Sequence, residues 1–411
     1  MRRNGLFVLQ VAVVHAVFGI TYAGASSAAK PGNERLYEFL DAQYNEAVRR
    51  SPMLATEFND LTGYDRWDDV SEAALTAQAA ADERALAVAE SSFDSVVLDP
   101  VGLLQRQIFI DQQHLLLDRF RWRNHFYALN QVIGLHIAVP DMLTNQQPMA
   151  TEADAQAYIR RLRAVEPLFA QLIARMHQQK RAGVYMPRSV YPLLIGAARN
   201  VVRGEPYTRG TESPIYADFR RRVGELPLDT RDRDRLLRDC RAALLGQVGP
   251  AYSRLIVDLT AQASRSKIDG GVWQLPDGDA FYAFLVRQFT TTDLSPEEIH
   301  ALGLREVARL QGEMATLLRK LGFTGTFREF VARTKSDPKF YEPNTDEGRE
   351  HYLARARAIV DVMQSRTTEA FFRPRHCHSK CGARNCSRRL LHRQDITREV
   401  QPMVFVLESF I

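Results

Sequence analysis

The sequence has few cysteines and lacks the short motifs of several large enzyme classes. Only four of its 411 residues are cysteine, and Cys240 is the single one before residue 373. We find no His-Glu-x-x-His pair, no glycine-rich phosphate loop after a strand and no Gly-x-Ser-x-Gly nucleophile elbow. The sequence therefore assigns no catalytic, cofactor-binding or metal-binding residue to this chain.

Long apolar runs are equally scarce, and the one that stands out lies near the N-terminus. Residues 6–20 are almost all apolar, they follow Arg2 and Arg3, and the small residues 23–25 come next. This order is typical of a secretory signal, and the run is shorter than the roughly 20 apolar residues that cross a bilayer as a helix. We predict that residues 1–25 are a cleaved signal peptide. The protein would then be exported to the periplasm or secreted, with no stable membrane span after cleavage.

The body of the chain has no net basic charge, although the net formal charge of the whole sequence is +5. Residues 373–411 contain eight Lys or Arg and three Asp or Glu, so they carry the whole excess and residues 1–372 sum to zero. A nucleic-acid binder needs a basic patch on its folded body. We therefore predict no nucleic-acid partner.

Helical periodicity is what the sequence has in abundance. Apolar residues recur at spacings of three and four, as on one face of a helix, and strand-like alternation is sparse. The segments with this pattern are 34–50, 72–92, 103–122, 151–183, 230–266, 295–322 and 344–371. In the segment 151–183, Thr151 and Asp154 predict a capping box at the start, Pro167 should kink the helix and Gly183 can end it. We predict an all-α fold, a large multi-helix globular body, for which the length allows one large domain or two.

The clearest helix start is at residues 295–298. Ser295 is a good N-cap, Pro296 suits the first helical position and Glu298 completes a capping box. Gly322 can end the helix. The pattern predicts a buried apolar stripe made of Ile299, Leu302, Leu310, Met314, Leu317 and Leu321.

The longest irregular segment covers residues 270–279, which contain three glycines and two aspartates. Long loops of this composition often carry function. The alternative interpretation is a surface connection with a buried Trp273. Both interpretations stay open from the sequence.

Metal-ligating residue types occur in two places, each with a simpler explanation. Glu297 with His300, and Asp111 with His114, have the spacing found in di-iron helix bundles, but Glu297 also fits as a first-turn acid. The C-terminal tail has zinc-ligating types at short spacing. However, exported thiols tend to pair with one another. The tail residues are His376, Cys377, His378, Cys381, Cys386 and His392.

Several segments resemble a large bacterial family known as domain of unknown function 885. No single motif is specific, but their order along the chain is. The segments are 51–56, 63–69, 158–162, 183–188, 213–219, 271–278, Tyr282, 290–292, 295–300, Gly303 and 323–341. The resemblance covers residues 50–371.

The resemblance implies a fold and an activity for complete members. They are α-helical and carry, further along the chain, a His-Glu-x-x-Pro-Gly-His helix that looks like a zinc metallopeptidase site. In such a site two histidines hold zinc and the glutamate activates water. This sequence departs from the family pattern after Phe372. We hypothesise that residues 373–411 are read out of frame, as an aberrant basic, Cys/His-rich and disordered tail.

These inferences give one main hypothesis and one alternative. Residues 26–372 would form an incomplete helical domain that resembles the non-catalytic N-terminal portion of a zinc-dependent peptidase. Residues 273–279 and His300 would face its cleft, peptides are the candidate partner, and zinc is implied only for full-length members. The alternative is a non-catalytic periplasmic binding or docking protein. The sequence indicates no oligomeric state.

Overall fold

The computed structural model describes residues 31–93 and 98–370. The predicted signal peptide and the residues from Phe371 onward, with the tail cysteines and histidines, lie outside the described residues. Within the described ranges every regular element is helical, so the predicted all-α class is confirmed. None of these helices is both long and apolar enough to cross a membrane.

The connections between successive helices range from one residue to fourteen. In chain order they are α1 Pro31–Arg50, α2 Pro52–Glu57, α3 Glu72–Ser91, α4 Pro100–Arg121, α5 Leu135–Asp141, α6 Glu152–Arg163, α7 Val165–Arg181, α8 Tyr191–Val201, α9 Pro214–Gly224, α10 Thr230–Ala243, α11 Gly249–Ala263, α12 Gly278–Thr290, α13 Pro296–Lys320, α14 Phe327–Ser336 and α15 Asp346–Ala370. Single π-helical turns follow α5 and α10, at Met142–Gln146 and Leu244–Val248.

The described residues divide into two compact units. The first contains residues 31–93 and 98–282, and the second contains residues 283–370. The boundary falls inside α12. Each unit is described separately below.

The capping signals in the sequence mark the true helix starts. The Thr151 hydroxyl accepts the Asp154 N–H, and the Asp154 carboxylate accepts the Thr151 N–H, which forms the capping box predicted before α6. Ser295 and Glu298 form the same box before α13. Gly322 follows α13 with φ +68°, a left-handed conformation that suits glycine, so the predicted end is confirmed.

The long helix predicted from residue 151 to 183, with a kink at Pro167, is interrupted near that proline and forms two helices. The break lies at Ala164, between α6 and α7. Pro167 explains it, because a proline has no N–H to donate to the carbonyl four residues earlier, and that residue is Arg163. Gly183, with φ +77°, follows α7 as predicted.

The first unit is built around α6. Tyr158 and Leu162 of α6 are fully buried, and so are residues of the helices packed around it. The Tyr158 ring lies 5.0 Å from Phe219 of α9, and Phe169 of α7 lies 4.7 Å from Tyr252 of α11, centroid to centroid. This core includes residues from α2 and from every helix from α5 to α11.

The second unit contradicts the predicted burial of α13. Leu302, Leu310, Leu317 and Leu321 are exposed, the last two at 58% and 68%. The single buried residue of α13 is Leu318, outside the predicted stripe. A periodic apolar face shows where a helix can pack, but it does not show that a partner element is present. The predicted burial of α13 is wrong for this reason.

Candidate functional site

Three of the segments that carry the family resemblance meet at one buried arginine. Arg161 of α6 has no exposed surface. Its guanidinium donates to the Arg66 carbonyl at 3.0 Å and to Gln147 Oε1 at 2.6 Å. It also donates to the Pro52 carbonyl at 3.2 Å and to Thr56 Oγ1 at 2.7 Å. Residues 51–56 and 63–69 are thereby attached to α6.

An aromatic ring and a carboxylate complete this junction. The Trp67 ring lies 4.9 Å from the Arg161 guanidinium, and its indole N–H donates to the Arg161 carbonyl at 2.8 Å. Asp68 accepts the Met53 N–H and the Ser51 hydroxyl. Burial lowers the pKa of Arg161 to about 10, with Asp68 and Asp65 opposing the shift, so the side chain stays charged at neutral pH. Because its hydrogen bonds go to the protein's own groups, we assign Arg161 a structural role.

The loop predicted at residues 270–279 is a tight, internally bonded structure. The Gln274 N–H donates to the Gly271 carbonyl, and the Leu275 N–H donates to the Val272 carbonyl. A Cβ on Gly271 would lie 2.1 Å from the Trp273 ring, and one on Gly278 would lie 2.0 Å from the Val272 carbonyl oxygen. Glycine is therefore required at position 278, where a Cβ would meet backbone, and a Cβ at position 271 would displace the Trp273 indole, which rests directly on the backbone.

Two contacts fix this loop to the first unit. His125, just after α4, donates from Nε2 to the Pro276 carbonyl at 2.7 Å, which leaves the buried Nδ1 without a partner. The His125 ring packs against Trp122 and Phe281, at centroid distances of 4.8 and 5.0 Å. Leu275 is buried. Gly183 lies so close to Pro276 that a Cβ at position 183 would be 3.2 Å from the Pro276 Cγ. The loop is thus held at its centre as well as at its ends.

Trp273 is exposed, so its predicted burial is wrong, while the interpretation of the loop as a surface connection stays open. The residue keeps 67% of its surface accessible, while Leu275 fills the buried position instead. The glycines explain the difference, because they let the indole lie flat on the outside of the loop. Whether this loop faces a cleft, as the resemblance implies, stays a prediction.

Three aspartates lie close to Trp273 in the sequence. Asp269, Asp277 and Asp279 are all exposed. Asp277 has φ +51°, which places it in the left-handed region beside Gly278. A Cβ on Gly278 would lie 2.9 Å from the Trp273 Cα, so Asp277 and Asp279 flank the point where the loop closes on Trp273.

The other predicted candidates do not come together into a metal site. Glu297 and His300 are exposed on α13, and neighbouring Glu298 has its pKa lowered by the Ser295 N–H that it accepts. On α4, His114 lies 3.5 Å from Glu90 and Asp111 accepts from Gln107. Among residues 31–93 and 98–370, no group of three or more metal-ligating side chains is close enough to hold an ion. The described residues therefore do not fit the zinc that the resemblance implies.

Two histidines that the sequence did not single out have unusual surroundings. His177 of α7 lies 2.6 Å from Asp258 of α11, and Asp258 also accepts from Gln262. His136 of α5 is buried with no hydrogen-bond partner on either ring nitrogen, and burial lowers its pKa to about 4. No sequence signal marks either residue, because both environments arise from helices that are far apart in the chain.

In the second unit the prominent feature is uncovered apolar surface. On α15, Tyr352, Leu353, Ile359 and Val360 are exposed and lie along one face, at helical spacing. Between α13 and α14 there is an open groove of about 620 Å³, lined in part by Leu318, Phe323 and Phe327. We refer to the exposed stripes of α13 and α15 together as the apolar faces of the second unit.

Together these features define the structural class of the protein. The chain is an all-α protein with a densely packed first unit and a second unit that exposes its apolar faces. A model of the family described as bacterial protein of unknown function DUF885 matches residues 52–385, and the chain belongs to this family. The resemblance inferred from the sequence is confirmed, and the match continues past Phe372.

One solved structure gives the same fold. It is the crystal structure of a protein from Colwellia psychrerythraea described as a candidate lipoprotein, and it superposes with a TM-score of 0.73 at 20% sequence identity. The superposition covers 82% of this chain and 60% of that one, so the chain spans about three fifths of the length of this neighbour. No functionally curated protein matches the chain.

Proposed function

We propose that this protein is the exported, non-catalytic N-terminal portion of a zinc-peptidase-like fold, and that its second unit is a docking surface for the remainder of that fold. The observation that carries the proposal is the exposure of the apolar faces of α13 and α15. The candidate lipoprotein neighbour is consistent with export.

The apolar faces have the pattern of helices that are buried on one side. Fully burying one leucine contributes about 1.5–3 kcal/mol, so a face with several leucines has a strong tendency to acquire a cover. Large exposed apolar patches mark interaction sites or aggregation-prone surfaces. The residues on these faces are therefore better explained by a partner than by exposure to water.

The length of the solved neighbour supports one choice of partner. The Colwellia psychrerythraea protein has about two fifths of its length outside the superposition, so the fold exists with additional chain. The resemblance implies that full-length members continue with a C-terminal part that contains the zinc helix. We assign the apolar faces to that part.

The residues of this chain support the proposal that it has no peptidase activity. The sequence has no His-Glu-x-x-His pair, and the described residues bring no zinc-ligand set together. A mature chain, residues 26–411, incubated with mixed peptide substrates and zinc is expected to release no products in a chelator-sensitive way. Robust hydrolysis that a chelator abolishes would overturn this part of the proposal.

The docking surface is tested separately, at the level of the gene. We expect the DNA that follows the codon for Phe372 to encode a His-Glu-x-x-His segment in another frame. That segment, produced as a separate chain, is expected to raise the melting temperature of residues 26–411 and reduce their binding of a dye for apolar surfaces. No such reading frame, or no change in dye binding on mixing, would contradict the assignment.

A binding protein without catalysis is the second candidate, and the Trp273 loop favours it. A rigid, exposed indole is the kind of group that binding sites use. A stable, monodisperse chain that binds little apolar dye would support this candidate over the docking surface.

A further inference from the structure

We propose that Arg119, Arg123 and Arg175 form a binding site for a phosphate group, at the point where the end of α4 and the start of α3 meet α7. The site takes one tetrahedral dianion, either free phosphate or the phosphoryl group of a small phosphate monoester. It goes beyond the proposed function, because all of its residues belong to the first unit.

Two glutamines of α7 fix the position of Arg175. Gln171 Oε1 accepts the Val70 N–H at 3.0 Å, and Gln179 Nε2 donates to the Phe126 carbonyl at 2.6 Å. Arg175 lies about one helical turn from each glutamine, on the same face of α7. It therefore lies between the residues that precede α3 and the residues that follow α4.

The other two arginines approach this point from α4. The Arg119 guanidinium lies 4.3 Å from the centre of the Phe126 ring, and the backbone of Phe126 is bonded to α7. Arg123 donates from Nε to Glu72 Oε1 at 2.7 Å. The charge of Glu72 also acts on Arg175, so Glu72 is the common neighbour of Arg123 and Arg175.

The charges at this junction do not balance. Arg119 and Arg175 are half-buried, and neither forms a hydrogen bond or an ion pair with any residue in the described ranges 31–93 and 98–370. Burial lowers the pKa of both guanidinium groups, and Glu72 opposes the shift at Arg175. A charge taken out of water without a partner is costly. Three guanidinium groups and one carboxylate leave two positive charges, which a phosphate dianion neutralises.

The guanidinium groups are supported from behind and stay accessible. Arg119 lies over the Phe126 ring and Arg123 over the Phe120 ring, at 4.3 and 4.2 Å, and Phe126 packs edge-on against Phe281 at 5.2 Å. A ring covers one face of a guanidinium group and leaves its N–H edge available to an acceptor. No nitrogen of the two unpaired guanidinium groups is sealed from solvent. Groups that are already fixed lose little conformational entropy when a ligand binds.

The type of side chain and the number of spare charges select the ligand. The planar fork of arginine donates parallel hydrogen bonds to two oxygens of one oxyanion, which suits phosphate. A carboxylate has a single charge and would leave one guanidinium without compensation. Nucleic acid needs basic residues along a row of phosphates, whereas this junction has two spare charges, so the ligand is one phosphate group.

The test uses the mature chain, residues 26–411, and inorganic phosphate at constant low ionic strength. Isothermal titration calorimetry is expected to show phosphate binding with a Kd of about 1 mM or tighter, and acetate binding at least about tenfold more weakly. Glycerol 3-phosphate distinguishes the two sources of the phosphate group, because the tighter-binding of the two ligands identifies the source. No binding of either phosphate ligand, or equal affinity for acetate, would overturn the proposal.

Variants of the unpaired arginines locate the binding. Arg175→Met and Arg119→Met each remove a charge without breaking a hydrogen bond, so we expect the melting temperature to stay at or above that of the wild type. The affinity for phosphate is expected to fall about tenfold or more in each. Arg241→Ala is the matched control, because Arg241 is exposed on α10 and its loss should change neither quantity. Unchanged phosphate affinity in both methionine variants would refute the site.

A variant of the carboxylate separates binding from a structural role. Glu72→Gln removes the one negative charge that pairs with these arginines, so the excess of positive charge grows and phosphate is expected to bind several-fold more tightly. If the arginines only held the helices together, loss of the Arg123–Glu72 ion pair would loosen the junction instead. Unchanged or weaker phosphate binding by Glu72→Gln would contradict the proposal.

Discussion

The two units use the same helical pattern with opposite results. In the first unit, the apolar stripe of α6 is buried among neighbouring helices, and Leu162 is fully covered. In the second unit, α13 has a stripe of the same kind, and Leu317 keeps 58% of its surface exposed. Periodicity therefore identifies a face made for packing, and only the three-dimensional arrangement shows whether the cover is present. The difference supports the proposal that the second unit is a docking surface.

We expect the largest difference in stability when one leucine in each unit is replaced by alanine. Leu162→Ala leaves a cavity in a closed core and is expected to lower the free energy of unfolding by about 2–5 kcal/mol. Leu317→Ala is expected to change it by less than about 0.5 kcal/mol, because the side chain is largely in water. Urea unfolding of the mature chain measures both. Equal destabilisation by the two variants would show that Leu317 is packed as closely as Leu162.

The next effect is a pH dependence confined to the first unit. His136 has a folded pKa of about 4, below its ordinary value of 6.5, because burial disfavours the charged ring. The unfolded chain therefore binds the proton first. This contribution to stability is complete above pH 6.5 and falls by about 3 kcal/mol as the pH drops to 4.

The control for this prediction is His136→Met, which has no titrating group. Glu57 and Asp82 have pKa values raised to about 7 and about 6, mainly by burial, so they change stability in the opposite direction. Both are present in each protein, and the difference between the two curves isolates His136. A variant with the same acid sensitivity as the wild type would show that His136 is not the cause.

We expect the smallest change in stability from variants at the helix caps. Thr151→Ala removes the capping box of α6, and we expect the unfolding midpoint of the first unit to fall by an amount equivalent to about 1 kcal/mol. Ser295→Ala removes the matching box of α13. It is expected to reduce helicity near residue 295 and leave that midpoint unchanged. Circular dichroism combined with urea titration distinguishes the two. A common shift would mean that the units unfold as one.

Local sequence signals predicted several helix boundaries correctly. The boxes at Thr151 and Ser295, the proline at 167 and the glycine at 322 act within one turn of the chain, so they can be recognised without knowing the fold. The family membership was also accessible, because it rests on the order of short segments from residue 51 onward.

Features that depend on distant contacts were not accessible. Arg161 appeared only as part of a motif, since its acceptors at Pro52 and Gln147 are brought to it by folding. The exposure of Trp273 and the burial of His136 depend likewise on which surfaces meet. The exposed stripe of α13 is the clearest case, because its sequence alone is indistinguishable from that of a buried helix.

The apolar faces of α13 and α15 are uncovered in this chain, and this exposure can be measured. Hydrogen–deuterium exchange of the mature chain tests it directly, since amides in a closed core exchange only through global unfolding and those in uncovered helices exchange through local opening. We expect α6 and α11 to exchange slowly, and α13 and α15 to exchange orders of magnitude faster. Equally slow exchange in all four helices would contradict the account.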